Sequence, residues 1–297
     1  MKMRRLILLL SALTLIVSIA GCGNGEEEEP FQVGVVPAQN KGDMKQAMDK
    51  LEKKLSDGIN RPVEIKIHSD YQAVVEALKY KKMDMAFLGP LTFVQARNAT
   101  GVNAIVTQLI DGKPYYHSYI IVPEDSELDS MEELVKNSEN VRFAFGDPNS
   151  TSGSLIPSIA LKERGVFQSN QKHQFQELTF TGSHDVTALS IQNKKYDAGA
   201  IDSAIYDQLA ESGKIDKDRI RIIWKSEKLF QYPWAVQKEV DQQTVDQLRK
   251  TFLSIKDPEI LNVFGASAFT KAENSDYETI RKAAKEAGRL EVGSTGE

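Results

Sequence analysis

From Phe31 to about Lys225, short apolar runs alternate with helix-like stripes, and this alternation limits the possible folds more than any other property of the sequence. Phe31-Gln-Val-Gly-Val-Val36 reads as a strand, and Met44, Met48, Leu51 and Leu55 fall on one face of a helix that stops near Gly58. Val63 to His68 predicts a strand, after which Ser69 or Asp70 can cap a helix carrying Val74, Val75 and Leu78. Met85 to Leu88 is a strand, and Gly89-Pro90 opens a helix through Ala96. Ala104 to Ile110 and Ser118 to Val122 are strands, with a short helix over Met131 to Val135. The scheme then repeats: strand near Phe143, helix from Ser154, strand near Leu178, helix from His184, strand Ala198 to Ile201, helix Ala204 to Leu209, strand Ile220 to Trp224. From Gln242 onward the tail reads as largely helical. Alternating β and α units predict a mostly parallel sheet flanked by helices, and two such arrays predict two lobes. Ligands of open α/β sheets sit at the carboxyl ends of the strands.

Two turns at such strand ends concentrate glycine and small hydroxyl residues. Phe145-Gly-Asp-Pro-Asn-Ser-Thr-Ser-Gly153 lies between a strand and a helical stripe of Leu155, Ile156, Ile159 and Ala160. Phe180-Thr-Gly-Ser-His-Asp185 lies between Leu178-Thr-Phe180 and the stripe of Val186, Leu189 and Ile191. A helix start offers unpaired N–H groups and the positive end of its dipole. Hydroxyls there add neutral donors, so each turn can receive a small oxyanion. Two of them suggest a phosphoryl-like group held from two sides. Plain helix capping is the competing reading for Ser150, Thr151 and Ser152. One serine suffices for a cap, whereas three small polar residues in succession suit an anion nest.

The amino terminus predicts the compartment. Lys2, Arg4 and Arg5 precede an apolar run from Leu6 to Ile19, which is shorter than the roughly 20 residues of a membrane span. Together with Ala20 and Gly21 this reads as a secretory signal over residues 1–21. Ile19-Ala-Gly-Cys22 resembles a bacterial lipobox, which implies cleavage before Cys22 and a lipid on its sulfur. Cys22 is the only cysteine, so no internal disulfide can form. The Glu-rich residues 23–30 read as an extended tether. The expected location is the extracytoplasmic face of the cell membrane, lipid-anchored.

Cleavage would leave 34 basic against 42 acidic residues over a mature length of 276, room for two lobes or one large domain. With no basic block or aromatic-basic interleaving, nucleic acid is not an expected partner. His68, His117, His173 and His184 show no metal-ligand spacing, so neither a metal nor a cofactor is expected.

Several segments resemble, in order, the PhnD-like phosphonate-, phosphite- and phosphate-binding proteins of ABC importers. They are Ser69-Asp-Tyr-Gln-Ala-Val-Val-Glu-Ala-Leu78, Phe87-Leu-Gly-Pro-Leu91, Gly112-Lys-Pro-Tyr-Tyr-His-Ser118, Gly146-Asp-Pro-Asn-Ser-Thr-Ser-Gly153, Gly182-Ser-His-Asp185 and Tyr196-Asp-Ala-Gly-Ala-Ile-Asp202. The resemblance implies a two-lobed, type II periplasmic-binding-protein fold with two hinge strands. The first lobe would take residues 31–116 and 232–297 and the second 117–231, with crossovers near Tyr116 to Tyr119 and Phe230 to Trp234. It also implies capture of a small phosphorus oxyanion without chemistry on it, delivery to a permease and its ATPase, and a monomer.

Carried over by that resemblance, Ser150, Thr151 and Ser152 form the oxyanion clamp, Tyr71 reaches the ligand from the first lobe, and His184 donates to the same group. Tyr116 lines the cleft or simply packs there. Asp202 either accepts a proton that the ligand retains, excluding sulfate-like anions, or caps the following helix. Backbone at Leu88, Gly89 and Pro90 would approach the ligand. No second acid for a ligand ammonium can be assigned. Two other functions stay open: a ligand sensor for a membrane kinase, and a secreted hydrolase using Ser152, His184 and Asp202. The hydrolase lacks a Gly-x-Ser-x-Gly elbow.

Overall fold

The computed structural model describes residues 29–291, so the signal-like segment and Cys22 lie outside the described residues. The described residues begin with β1 (Phe31–Val35), α1 (Lys41–Ile59), β2 (Val63–Ile67), α2 (Tyr71–Lys79), β3 (Met85–Phe87), α3 (Pro90–Thr100) and β4 (Asn103–Leu109). The apolar stripe of α1 is buried as its spacing requires, with Leu51 and Leu55 fully covered. The helix ends near Gly58 as expected, at Ile59, and Asn60 closes it in the left-handed conformation at φ 54. Gly58 serves packing, because a Cβ there would collide with the Thr251 side chain. Asp70 caps α2 by accepting from the Ala73 N–H at 2.8 Å.

The chain then crosses through β5 (Tyr115–Tyr116) into β6 (Ser118–Pro123), α4 (Met131–Lys136) and β7 (Arg142–Phe145). A single π-helical turn, Thr151–Leu155, precedes α5 (Ile156–Glu163). A hairpin of β8 (Phe167–Ser169) and β9 (Lys172–His173) leads to β10 (Glu177–Phe180), α6 (His184–Gln192), β11 (Ala198–Asp202), α7 (Ser203–Glu211) and β12 (Ile220–Lys225). The return runs through β13 (Leu229–Phe230) to β14 (Pro233–Val236), α8 (Gln242–Ser254), α9 (Pro258–Val263), β15 (Ala268–Lys271) and α10 (Glu278–Glu286).

Two sheets result, ordered β15-β4-β14-β3-β1-β2 and β10-β7-β11-β6-β12. The pairings make β1 to β4 run one way in the first sheet, with β14 and β15 against them. In the second, only β6 opposes the other four. The reversed β6 and β14 are the first main-sheet strands after each crossover, and each runs against the βα strands of its own sheet. The crossovers pair as a two-stranded ribbon, Tyr116 opposite Leu229 and Tyr115 opposite Phe230.

The tail is not helical throughout: Ala268–Lys271 adds an edge strand to β4. Four residues without period-two alternation carry no strand signal of their own. Trp234 is fully buried against Phe87, Phe252 and Phe264 with ring centroids 4.9–5.8 Å apart. The second sheet packs on Phe143, Phe145 and Phe175. Each such ring contributes on the order of 2 kcal/mol through burial. Both sheets therefore present rigid strand ends to the groove between them.

Candidate ligand-binding site

Ser150, Thr151 and Ser152 follow β7 at the carboxyl end of the second sheet, and all three are fully buried. Their hydroxyls do different things. Ser150 Oγ accepts from the Gly153 N–H at 3.0 Å, the capping role, and lies 3.4 Å from His184 Nε2. Thr151 Oγ1 accepts the Leu91 N–H at 2.8 Å, joining the loop to the first turn of α3 in the opposite lobe. Ser152 Oγ is buried without a hydrogen-bond partner, while its carbonyl accepts from Ser118 Oγ at 2.6 Å.

His184 opens α6, and its ring is buried. Its Nδ1 receives the Asp202 backbone N–H at 3.3 Å. That N–H can only donate, so Nδ1 is the acceptor and the neutral ring carries its proton on Nε2. Nε2 faces Ser150 Oγ and the Tyr232 hydroxyl, each at 3.4 Å. Burial drives the imidazole pKa down to about 3, which keeps it a neutral donor.

Asp202 both ends β11 and caps α7. Its Oδ1 accepts from the Ala204 and Ile205 N–H groups at 2.8 and 3.2 Å. The cap uses Oδ1 alone, and burial pushes the carboxyl up to about 7.

Tyr71, at the start of α2, and Tyr116, in the first crossover, are buried with hydroxyls that lack a hydrogen-bond partner. The Tyr71 hydroxyl lies beside Tyr232 and Ser150, and the Tyr116 hydroxyl beside Ser152 and Thr151, without forming well-directed bonds. Burial raises the pKa of both phenols. Tyr71, Tyr116, Ser150, Thr151, Ser152, His184 and Asp202 thus gather on one groove. Cys22 lies outside the described residues.

Sequence reasoning missed Tyr232 and Arg289. Tyr232 is buried in the second crossover, stacks on Phe87 with centroids 5.5 Å apart, and meets Tyr116 at 5.8 Å. The available signal was only an aromatic within the second predicted crossover, Phe230 to Trp234. Arg289 comes from the chain after α10 and is buried. It donates from Nη1 to Ser154 Oγ at 3.2 Å and from Nη2 to the Pro148 carbonyl, while its own carbonyl accepts from Gln95 Nε2 at 2.9 Å. Burial lowers this guanidinium to about 10. An isolated arginine in a polar tail carries no sequence signal.

Further contacts join the lobes. Tyr71 N–H approaches Asp147 Oδ2 at 3.5 Å, Asn149 Nδ2 donates to Gln72 Oε1 at 3.2 Å, and His184 N–H donates to the Ala38 carbonyl at 3.2 Å. Neutral donors from both lobes therefore gather beside the Asp202 carboxyl, whose pKa burial raises. Such a set suits a partly protonated oxyanion: donors take the bare oxygens, and the carboxyl accepts the proton that remains.

Two sheets linked by paired crossovers, with this groove between them, define a two-lobed solute-binding protein of the type II periplasmic class. A family described as "ABC transporter, phosphonate, periplasmic substrate-binding protein" matches residues 33–277, and the chain belongs to it. It is 27% identical over 271 residues to the probable ABC transporter phosphite binding protein PhnD1 of Prochlorococcus marinus, covering 88% of this chain and 90% of that protein. It is 31% identical over 232 residues to the phosphate-import protein PhnD of Mycolicibacterium smegmatis, covering 75% of this chain and 71% of that one. The solved structure of Prochlorococcus PhnD1 in complex with methylphosphonate superposes with a TM-score of 0.78 at 27% identity, covering 87% of this chain and 98% of that one.

Proposed function

We propose that this chain captures one small phosphorus oxyanion, a phosphonate, phosphite or phosphate, between its lobes and delivers it to the membrane permease of an ABC importer. The observation that carries this reading is the meeting of three buried, unpartnered hydroxyls, of Tyr71, Tyr116 and Ser152, beside His184 and Asp202. Buried donors without acceptors are costly, on the order of 1–3 kcal/mol each, and an oxyanion satisfies them together. Ser150, Thr151, Ser152, His184 and Tyr71 hold its oxygens, Asp202 takes its proton, and Tyr116 closes the wall.

The ligand is bound, not transformed. A Ser-His-Asp triad needs the acid on the imidazole, and here Nδ1 meets the backbone of Asp202 while the carboxyl caps α7. Contacts to both lobes favour the closed form, because a ligand shifts a conformational equilibrium only by its differential affinity for the two states. In this reading residues 31–116 and 232–297 form one lobe and residues 117–231 the other, and the protein acts as a monomer held to the membrane through Cys22.

Titration calorimetry of the tether-free domain, refolded after unfolding to strip bound ligand, tests this against phosphite, methylphosphonate, 2-aminoethylphosphonate, phosphate and sulfate. Tight stoichiometric binding of one phosphorus compound with sulfate silent is the expected result. Silence across the panel would overturn the reading.

A further inference from the structure

A small interlobe cavity is lined in part by Asp202 and Tyr232 and not by the Ser-Thr-Ser loop. Beyond these two shared residues it is lined chiefly by Ala38, Gln39, Phe87, Gln108, Gln231 and Phe264. Its walls are apolar apart from the amides. Gln39 is occupied, donating to Gln208 Oε1 at 2.7 Å. The other two amides are arranged so that half of each remains unused. Gln231 Oε1 accepts from the Tyr232 N–H at 3.2 Å and from Gln108 Nε2 at 3.1 Å. The Tyr232 N–H can only donate, so it fixes the orientation of the Gln231 amide, and through it that of Gln108. One donor, Gln231 Nε2, and one acceptor, Gln108 Oε1, are left buried and unpartnered. The backbone behind them is held: Gln108 lies in β4 opposite Phe269, and the Gln231 carbonyl accepts the Tyr277 hydroxyl at 2.8 Å.

A buried free donor and a buried free acceptor on two residues that line one cavity are each unfavourable until a group satisfies them. A hydroxyl does so, accepting from one amide and donating to the other. A methyl satisfies neither. An ammonium would find the acceptor but confront the donor, and Asp202 is the only acid in the lining. The cavity offers about 20 Å³, space for about one water-sized group.

We propose that this chamber receives the organic substituent of a phosphonate, and that the substituent it fits is one carbon bearing a hydroxyl, as in hydroxymethylphosphonate. The assignment rests on the phosphorus-oxyanion reading and narrows it. Asp202 and Tyr232 face both compartments, so phosphorus sits at the donors while its carbon side passes between these two residues. Gln108 and Gln231 then act as specificity-determining residues.

Competition calorimetry on the folded, ligand-stripped protein tests this with phosphite, methylphosphonate and hydroxymethylphosphonate. Hydroxymethylphosphonate should bind roughly tenfold tighter than methylphosphonate, the effect of two modest buried hydrogen bonds. Gln108→Met keeps the volume and removes the acceptor, and it should abolish that preference while leaving methylphosphonate affinity in place. If that variant fails to fold, Gln108→Leu, which likewise removes the acceptor at similar volume, should abolish the preference too. Equal or weaker binding of hydroxymethylphosphonate, with phosphite or methylphosphonate still bound, overturns the chamber and leaves the proposed function standing. A preference that persists in a folded Gln108→Met protein also overturns it. Failure of all three ligands overturns the chamber, and it overturns the phosphorus reading itself only if phosphate and 2-aminoethylphosphonate are silent as well.

Discussion

The imidazole of His184 and the backbone amide of Asp202 lock together at 3.3 Å, and that contact sets the proton on the outward nitrogen, Nε2. His184 is thus a neutral donor rather than a cation across the physiological range. Its ring should show one tautomer and no titration between about pH 5 and 8 by nitrogen NMR in the free protein. His184→Ala should weaken ligand binding by roughly tenfold to a hundredfold, the worth of one hydrogen bond to a charged group. Unchanged affinity would remove His184 from the site.

Asp202 gives the ligand-free protein a pH dependence of definite sign. Its native carboxyl holds a proton up to about 7, because burial disfavours the charge. The unfolded chain releases the same proton near about pH 4. Between those values the native state binds more protons, so this group's contribution to stability falls as pH rises through the window. Asp147, raised to about 6 by burial, acts in the same direction. Urea unfolding over this range should therefore show a flatter pH profile for Asp202→Asn than for the parent. Above about pH 7, where the parent carboxyl is ionised, the same variant should bind sulfate more readily, since no carboxylate then repels a proton-free anion. A parallel profile with sulfate still silent would count against both roles.

Thr151 ties the anion loop to α3 through the Leu91 N–H. In Thr151→Val that buried donor loses its acceptor in the closed form, a penalty of about 1–3 kcal/mol. Ligand affinity should fall by roughly tenfold or more, and Thr151→Ser should recover most of it. Calorimetry on the two variants, with scattering to follow closure, makes the comparison.

Gly153 is glycine for want of room. A Cβ there would sit 3.0 Å from both His184 Cε1 and Ser150 Oγ and 3.1 Å from Gly146 Cα. Gly153→Ala should push the Ser150–His184 pair apart and reduce affinity at least tenfold while the second sheet stays folded. Circular dichroism beside a binding isotherm separates the two effects. Equal losses in both would make the glycine structural alone.

Tyr232→Phe keeps the stacking on Phe87 and loses the hydroxyl that faces His184. The melting temperature should move by only a few degrees, and affinity should drop by roughly five- to tenfold. A large thermal shift with intact binding would reverse the assignment and make Tyr232 a packing residue.

Much of this molecule is determined by local sequence. The helix stripe of Met44, Met48, Leu51 and Leu55 and the Asp70 cap depend on periodicity and on neighbours within a few residues, so they are legible without the fold. The Ser-Thr-Ser turn is legible for the same reason: it is a run of hydroxyls between a strand and a helix. Tertiary structure alone decided which hydroxyl caps, which reaches α3 and which stays free, because the partner of Thr151 lies sixty residues away at Leu91. It also decided that Asp202 is both cap and site residue, that β14 returns antiparallel beside β3 and β4, and that Tyr232, Gln108, Gln231 and Arg289 face buried polar groups. Burial is what turns an ordinary histidine into a neutral donor and an ordinary aspartate into a proton carrier near neutral pH. Burial belongs to the packed pair of lobes and to no single stretch of chain.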